Sequence, residues 1–214
     1  NPPVAVDIAY NLRFHPALIH LQRIIDSGGL GKIYTVIVNT GQYLPDWRPN
    51  RDYRETVSAQ SQLGGGVLRE LSHELDYISW LFSPLTSVYC RSGNTKTLDI
   101  DVEDNIQTII TNNDETNIIM NIDFLQRSPQ RTCEVIGSQG SIRIDLIRNE
   151  VTFLEGNENH PYNFSQHGFD LNQTYKDELI YFEGFINRKN GPSVGISEAR
   201  SIMQLIDAME KSAI

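Results

Sequence analysis

The sequence predicts an α+β fold: an open, mainly antiparallel sheet with helices packed on one face. Three observations predict it. Strand-like segments follow one another at residues 87–91, 105–111, 116–124, 131–136, 141–145 and 150–154, and consecutive strands joined by short turns pair antiparallel. Ile106, Thr108 and Ile110 fall at alternate positions, so one face of the sheet is built to be covered. Helical patterns precede and follow the strands and supply the cover. The other face is more polar and reads as a subunit interface or a solvated surface.

Residues 4–8 read as a short strand with no neighbour before it to pair with. A strand at the extreme terminus suggests that the rest of its domain lies upstream. Pro16 suits the first turn of a helix whose buried side is Leu18, Leu21, Ile24 and Ile25, and Gly28-Gly29 closes it. Residues 33–39 are rich in β-branched side chains and make the next strand. From Gly41 to Ser61 the chain loses periodicity and carries Asp46-Trp47-Arg48 and Asp52-Tyr53-Arg54, the pattern of a long loop. Two readings stand for it. Trp47 and Tyr53 plug the edge of the core, or Trp47 and Arg48 line a site, one by stacking and the other by holding an anion.

Residues 63–82 follow, opening on Gly64-Gly65-Gly66 and continuing as about four turns of helix. Leu68, Leu71, Leu75, Ile78 and Phe82 form its buried stripe. His73 lies about 170° from the centre of that stripe at roughly 100° per residue, among Arg69, Glu70, Asp76, Tyr77 and Trp80. Glu70 one turn behind and Asp76 one turn ahead are placed to raise the pKa of His73 or fix its tautomer. Such a His exchanges protons near neutrality; a His at an inter-domain or subunit contact fits the pattern equally.

After the strands, residues 156–172 look like a loop. A helix at 175–187 carries Leu179, Phe182 and Phe185/Ile186. Another at 197–211 is capped by Ser197 and buries Ile202, Leu205, Ile206 and Met209.

Composition narrows the function. With 214 residues, 39% of them hydrophobic, the chain can bury a sizeable core. A net charge of −9 argues against nucleic acid or an anionic membrane as partner. No apolar run reaches the length of a membrane span and no signal-peptide pattern opens the chain. It begins at Asn1 without a Met, so an upstream segment stays open. Cys90 and Cys133 read as buried, reduced thiols of a cytoplasmic protein. The five histidines show no metal-ligand spacing. The run Asp99-Ile-Asp-Val-Glu-Asp104 lacks the Gly and Glu of a calcium loop and reads as a strand edge with solvated carboxylates. A hydrolase using His73 with Asp76 would lack both nucleophile and metal.

The motif GGGVLRELSHELDYISWLF, the junction YNLRFHPAL followed by GLGKIY, and the closing SEARSIMQLIDAMEKS together resemble the Gfo/Idh/MocA oxidoreductases over essentially the whole chain. The resemblance implies the second domain of a two-domain dehydrogenase, with residues 1–12 the tail strand and linker of a missing Rossmann domain. Residues 13–214 would then form the substrate-binding and oligomerisation domain. It further implies hydride transfer between NAD or NADP and a hydroxyl carbon of a sugar or nucleotide-sugar, with the cofactor bound mainly by the missing half. The LPDWRP and DYR wording is similar to members tied to surface-polysaccharide sugars. His73 would be the general acid/base, with Glu70 as its acidic partner, and Trp47-Arg48 would lie near the cofactor. Tyr10, Arg13, Tyr53 and Asp76 would line the substrate cleft, and the sheet face would build a homo-oligomer. Two departures stand out. The phosphate-binding glycines and the Lys of an E-K-P motif are absent, so this chain alone is expected to be inactive. Arg69 occupies the place where many members carry an Asp four residues before the His. A non-catalytic binding or scaffold protein on the same fold is the competing reading.

Overall fold

The computed structural model describes residues 4–155 and 158–212. Its centre is an eight-stranded sheet. A 3-10 turn at Asn11–Phe14 leads into α1 (Pro16–Asp26) and β1 (Ile33–Gly41), and after a long loop come α2 (Val67–Glu70) and α3 (Ser72–Phe82). Then follow β2 (Leu85–Gly93), β3 (Asn105–Asn112), β4 (Asn117–Asp123), β5 (Gln130–Gly137), β6 (Gly140–Asp145), β7 (Glu150–Glu155) and β8 (Glu158–Asn163). Two helices, α4 (Asn172–Ile186) and α5 (Ile196–Ser212), close the order.

The strands lie in the order β2-β3-β4-β1-β5-β6-β7-β8. Only β1 and β4 run parallel, with Val36 opposite Ile118 and Val38 opposite Met120; every other pair is antiparallel. Period-two alternation decides the two faces. Val36, Val38, Ile106, Ile110, Ile118, Met120, Cys133, Val135, Ile142 and Ile144 are buried on the covered face. Against them pack Leu18 and Leu21 of α1, Leu75 and Ile78 of α3, and Ile202, Ile206 and Met209 of α5, all buried in one continuous core. The other face is open. Across it runs a row of mutually opposed residues, Tyr89, Ile109, Ile119 and Ile37, which then meets Glu134 and Arg143.

Several expectations need correction. Residues 4–8 form no strand among the described residues: the segment is tied to residues 193–194, with Ile8 N–H on the Val194 carbonyl at 3.1 Å and Asp7 accepting from Ser193 and Val194. The helix predicted over 67–82 is interrupted at Leu71, whose φ of −102° and ψ of 29° leave the α region. Its stripe is nonetheless buried throughout. Part of the 156–172 loop is strand β8; its Pro161 is tolerated because β8 is an edge strand. Residues 1–3 of the expected linker, and Gly156 and Asn157 of that loop, lie outside the described residues. Helix α4 leaves its apolar positions half-buried or exposed. Leu179 is 67% exposed and Ile186 55%, whereas Thr174 is fully buried. Helix α5 begins one residue earlier than predicted, and the Glu198 carboxylate, not Ser197, reaches back to the Gly195 N–H at 2.9 Å.

The acidic run at 99–104 is a solvated edge only in part, since Asp99 and Asp101 are exposed. Asp104 is fully buried and accepts from the Thr95 N–H and hydroxyl, Asp101 accepts from the Ser61 N–H and hydroxyl, and Glu103 accepts from the Leu68 N–H at 3.1 Å. The last of these puts a carboxylate at the N-terminus of α2, where backbone N–H groups lack partners. Cys90 and Cys133 are free and buried, and burial raises their thiols to about 11 and about 12. Among the described residues no helix is long and apolar enough to cross a membrane.

Candidate active site

Two glycines of the triplet have no room for a side chain, Gly65 against backbone and Gly66 against a carboxylate, whereas Gly64 has open space around it. A Cβ on Gly65 would fall on the Val57 carbonyl oxygen, and one on Gly66, at φ +112°, would fall on the Glu103 carboxylate. This lets α2 start against the loop below and delivers the chain to α3 with His73 in its first turn. Tyr10, ahead of the first 3-10 turn, meets the His73 ring at 90° with centroids 5.2 Å apart, and its hydroxyl reaches Ser72 Oγ at 3.4 Å. Three residues on, Arg13 binds Asp76 through Nε and Nη2 at 2.8–3.2 Å, reaches Glu198 through Nη1 at 3.2 Å, and lies over the Trp80 ring at 5.6 Å. The structure therefore brings Tyr10, Arg13, His73 and Asp76 together.

Below the His lies an ion pair that sequence reasoning missed. Arg131 of β5 holds Glu74 of α3 by Nε to Oε1 at 2.6 Å and Nη2 to Oε2 at 3.1 Å, and Glu74 is fully buried. Signals for both were present. Arg131 shares a strand face with buried Cys133 and Val135, and Glu74 sits beside the apolar stripe of its helix. A charge of each sign at the rim of two facing apolar surfaces points to a pair.

These neighbours set the electrostatics. Burial first, then the Arg131 charge, push the His73 pKa below 6.5, and Glu74 offsets part of that. The expected rise from Glu70 and Asp76 is not found. Glu70 makes no hydrogen bond to His73, because the break at Leu71 removes the continuous helical face they would share. Asp76 is fully buried and spends both oxygens on Arg13; burial raises it to about 6 against the pull of that guanidinium. His73 Nδ1 is buried with no hydrogen-bond partner among the described residues. His15, which caps α1, is likewise lowered, mainly by burial.

Trp47, Arg48 and Tyr53 lie apart from this cluster: none shares a hydrogen bond, ion pair or ring contact with it among the described residues. Trp47 donates its indole N–H to the Gln42 carbonyl at 3.2 Å and packs edge-on against Phe124. That agrees with the plugging role. Arg48 is exposed and its guanidinium has no protein partner among the described residues. The Tyr53 hydroxyl accepts from the Asp99 N–H at 3.3 Å and joins the loop to the acidic run.

A family model described as the GFO/IDH/MocA C-terminal domain matches residues 18–143. The chain belongs to this family. Solved structures agree in fold with this Gfo/Idh/MocA chain. Levoglucosan dehydrogenase in complex with NADH and levoglucosan superposes with a TM-score of 0.84 at 18% identity, over 98% of this chain and 64% of that one. The WlbA dehydrogenase from Bordetella pertussis, in complex with NADH and UDP-GlcNAcA, gives 0.77 at 20% identity, over 96% and 61%. An inositol dehydrogenase homolog from Azotobacter vinelandii, complexed with NAD+, gives 0.79 at 14% identity, over 98% and 64%. The chain thus spans less than two thirds of the length of these structures. A comparison with curated proteins gives no match.

Proposed function

We propose that this chain is the substrate-binding and assembly part of a nicotinamide-dependent oxidoreductase acting on a hydroxyl carbon of a sugar or nucleotide-sugar, and that it is inactive without a dinucleotide-binding domain. The observation that carries this reading is His73 in the motif position of the family, half-buried and walled by Tyr10 and the Arg131–Glu74 pair. The nicotinamide supplies a hydride acceptor or donor when bound. His73 engages the reacting oxygen, Tyr10 orients the His73 ring, and Arg13 with Asp76 fixes the segment that carries Tyr10. Arg48 fits an anionic group of the cofactor, since its guanidinium is exposed and uncommitted, and Trp47 fits as a wall beside it. NADH and NAD+ in the solved relatives favour NAD over NADP. UDP-GlcNAcA on one of them supports a nucleotide-sugar, in keeping with surface-polysaccharide chemistry. The apolar row Tyr89, Ile109, Ile119 and Ile37 on the open face supports a homo-oligomer formed through the sheet, in the cytoplasm.

A second reading, a binding or scaffold protein on the same fold, draws on Arg69. It occupies the place of the family's acidic partner and pairs with Glu210 at 2.8 Å, away from His73. Turnover separates the two. The chain joined to its dinucleotide-binding domain, assayed with NAD+ or NADP+ and a panel of UDP-sugars, oxidises at least one of them if the enzyme reading holds. Binding without reduced nicotinamide across the panel would support the scaffold.

A further inference from the structure

We propose that Arg127, laid over Tyr43 at the end of the sheet that holds the Arg131–Glu74 pair, binds an acidic group of the substrate, a ring carboxylate or a phosphate, and so sets specificity. The assignment to substrate rests on the functional reading above; the free guanidinium rests on this chain alone.

The turn between β4 and β5 holds this arginine in place. The Asp123 carboxylate, at the end of β4, accepts the N–H groups of Leu125 and Gln126 at 2.8 and 2.9 Å and the Gln126 side-chain amide at 2.7 Å. Those bonds tie the turn down and commit the carboxylate nearest to Arg127 in sequence. The chain leaving β1 stays alongside: the Gln42 N–H reaches the Asp123 carbonyl at 3.3 Å and the Leu44 N–H reaches the Phe124 carbonyl at 3.0 Å. Tyr43 lies between them and takes the Arg127 guanidinium over its ring, 3.4 Å from the centroid. Where β5 resumes, Gln130 faces Gly41 and Arg131 faces Thr40. The stacked pair therefore stands just past the rung that sends Arg131 to Glu74, the neighbour of His73.

Arg127 is exposed and makes no ion pair or hydrogen bond among the described residues. In a chain with 27 acidic and 18 basic residues that is a departure. Arg13, Arg54, Arg69, Arg131 and Arg143 each hold a carboxylate at 2.6–2.8 Å. Stacking on Tyr43 occupies only the flat face of the guanidinium and leaves the N–H donors along its edge open. Such a planar fork matches a carboxylate or a phosphate at two points. The ring also orients the side chain before a ligand arrives, which lowers the ordering cost of binding. The facing loop adds positive charge. Trp47 seats it on Phe124 with ring centroids 5.3 Å apart, and the exposed Arg48 and Arg51 follow, joined by the Arg51 N–H on the Arg48 carbonyl at 3.0 Å. The pyrophosphate of a nicotinamide dinucleotide is held mainly by its own domain, which leaves Arg127 for the substrate.

The test is titration calorimetry on the chain joined to its dinucleotide-binding domain and saturated with NADH, with UDP-glucuronate and UDP-glucose as probes. Wild type is expected to bind UDP-glucuronate, and Arg127→Gln to weaken that binding by roughly 10- to 100-fold, the scale of a hydrogen bond to a charged group. NADH affinity stays unchanged. Arg127→Lys restores only part of the loss, because a point charge replaces the fork. A loss confined to UDP-glucuronate assigns the carboxylate, and an equal loss for UDP-glucose assigns the phosphates. Arg127→Gln that binds UDP-glucuronate as wild type does overturns the proposal, as does a loss of NADH affinity of the same size. Wild type that binds NADH and oxidises a neutral sugar but binds neither probe also overturns it, and leaves the oxidoreductase reading standing. Arg127-dependent binding without turnover of any sugar refutes the functional reading and leaves the anion site standing.

Discussion

Arg13 and Asp76, 63 positions apart, are joined by three hydrogen bonds of 2.8–3.2 Å in which both carboxylate oxygens take part. The carboxylate is completely buried and the guanidinium nearly so. Removing one member strands a charge in the interior, which typically costs about 3–5 kcal/mol. Arg13→Ala is therefore expected to lower the urea midpoint by a corresponding amount. Replacing both residues by apolar ones should cost less than the sum of the single changes. An Arg13→Ala midpoint equal to wild type would contradict the pair's role in anchoring Tyr10.

Gly65 has no room for a side chain, because a Cβ there would meet the Val57 carbonyl. Backbone is slow to yield, and overpacking of this kind costs roughly 1–3 kcal/mol. Gly65→Ala should lower the thermal midpoint clearly, whereas Gly191→Ala, where nothing lies within 4 Å, should not. Equal midpoints for the two variants would remove the packing explanation of Gly65.

Acid stability follows from the buried histidines. His15 and His73 are both held below 6.5 in the fold, so as pH falls past that value the unfolded chain binds protons that the folded chain refuses. Their contribution to stability is present above 6.5 and is lost on the acid side. Asp76, raised from 3.8 to about 6, works the other way: its contribution is present below 3.8 and lost as pH rises through about 6. Comparison with His15→Asn isolates the first effect, because Asn keeps an acceptor at the N-cap. The variant should show a shallower fall in denaturation midpoint between about pH 6.5 and 5; an unchanged slope would exclude His15.

The open sheet face carries Ile109, 45% exposed, opposite Ile119. A lysine in that row desolvates badly in a packed interface. Ile109→Lys is expected to reduce the mass seen by sedimentation while leaving the circular dichroism spectrum unchanged. An unchanged mass would rule this row out as a subunit interface.

Legibility in the sequence tracked how local the determining forces are. Strand β3 was readable because alternation at Ile106, Thr108 and Ile110 states which face is buried. The stripe on α2 and α3 was equally clear, but the break at Leu71 was not, since no Gly or Pro marks it. Its consequence is what separates Glu70 from His73. Helix α4 shows the opposite case: apolar periodicity at Leu179 and Ile186 does not say that this chain will cover those residues. Strand β8 was hidden by Pro161, which only an edge position permits. In the site, Tyr10, Arg13, His73 and Asp76 were identified from the motif and its resemblance. Glu74 and Arg131 needed two distant apolar surfaces to be superposed before their charges could be paired.

The most direct measurement is turnover of the chain joined to its dinucleotide-binding domain, wild type against His73→Ala, with NAD+ and the best UDP-sugar of the panel. If His73 acts at the reacting oxygen, kcat/KM falls by roughly 10²–10⁴ while the fold is retained, the usual range for a group engaged in proton management at the reacting atom. Activity of His73→Ala within about tenfold of wild type would contradict the assignment.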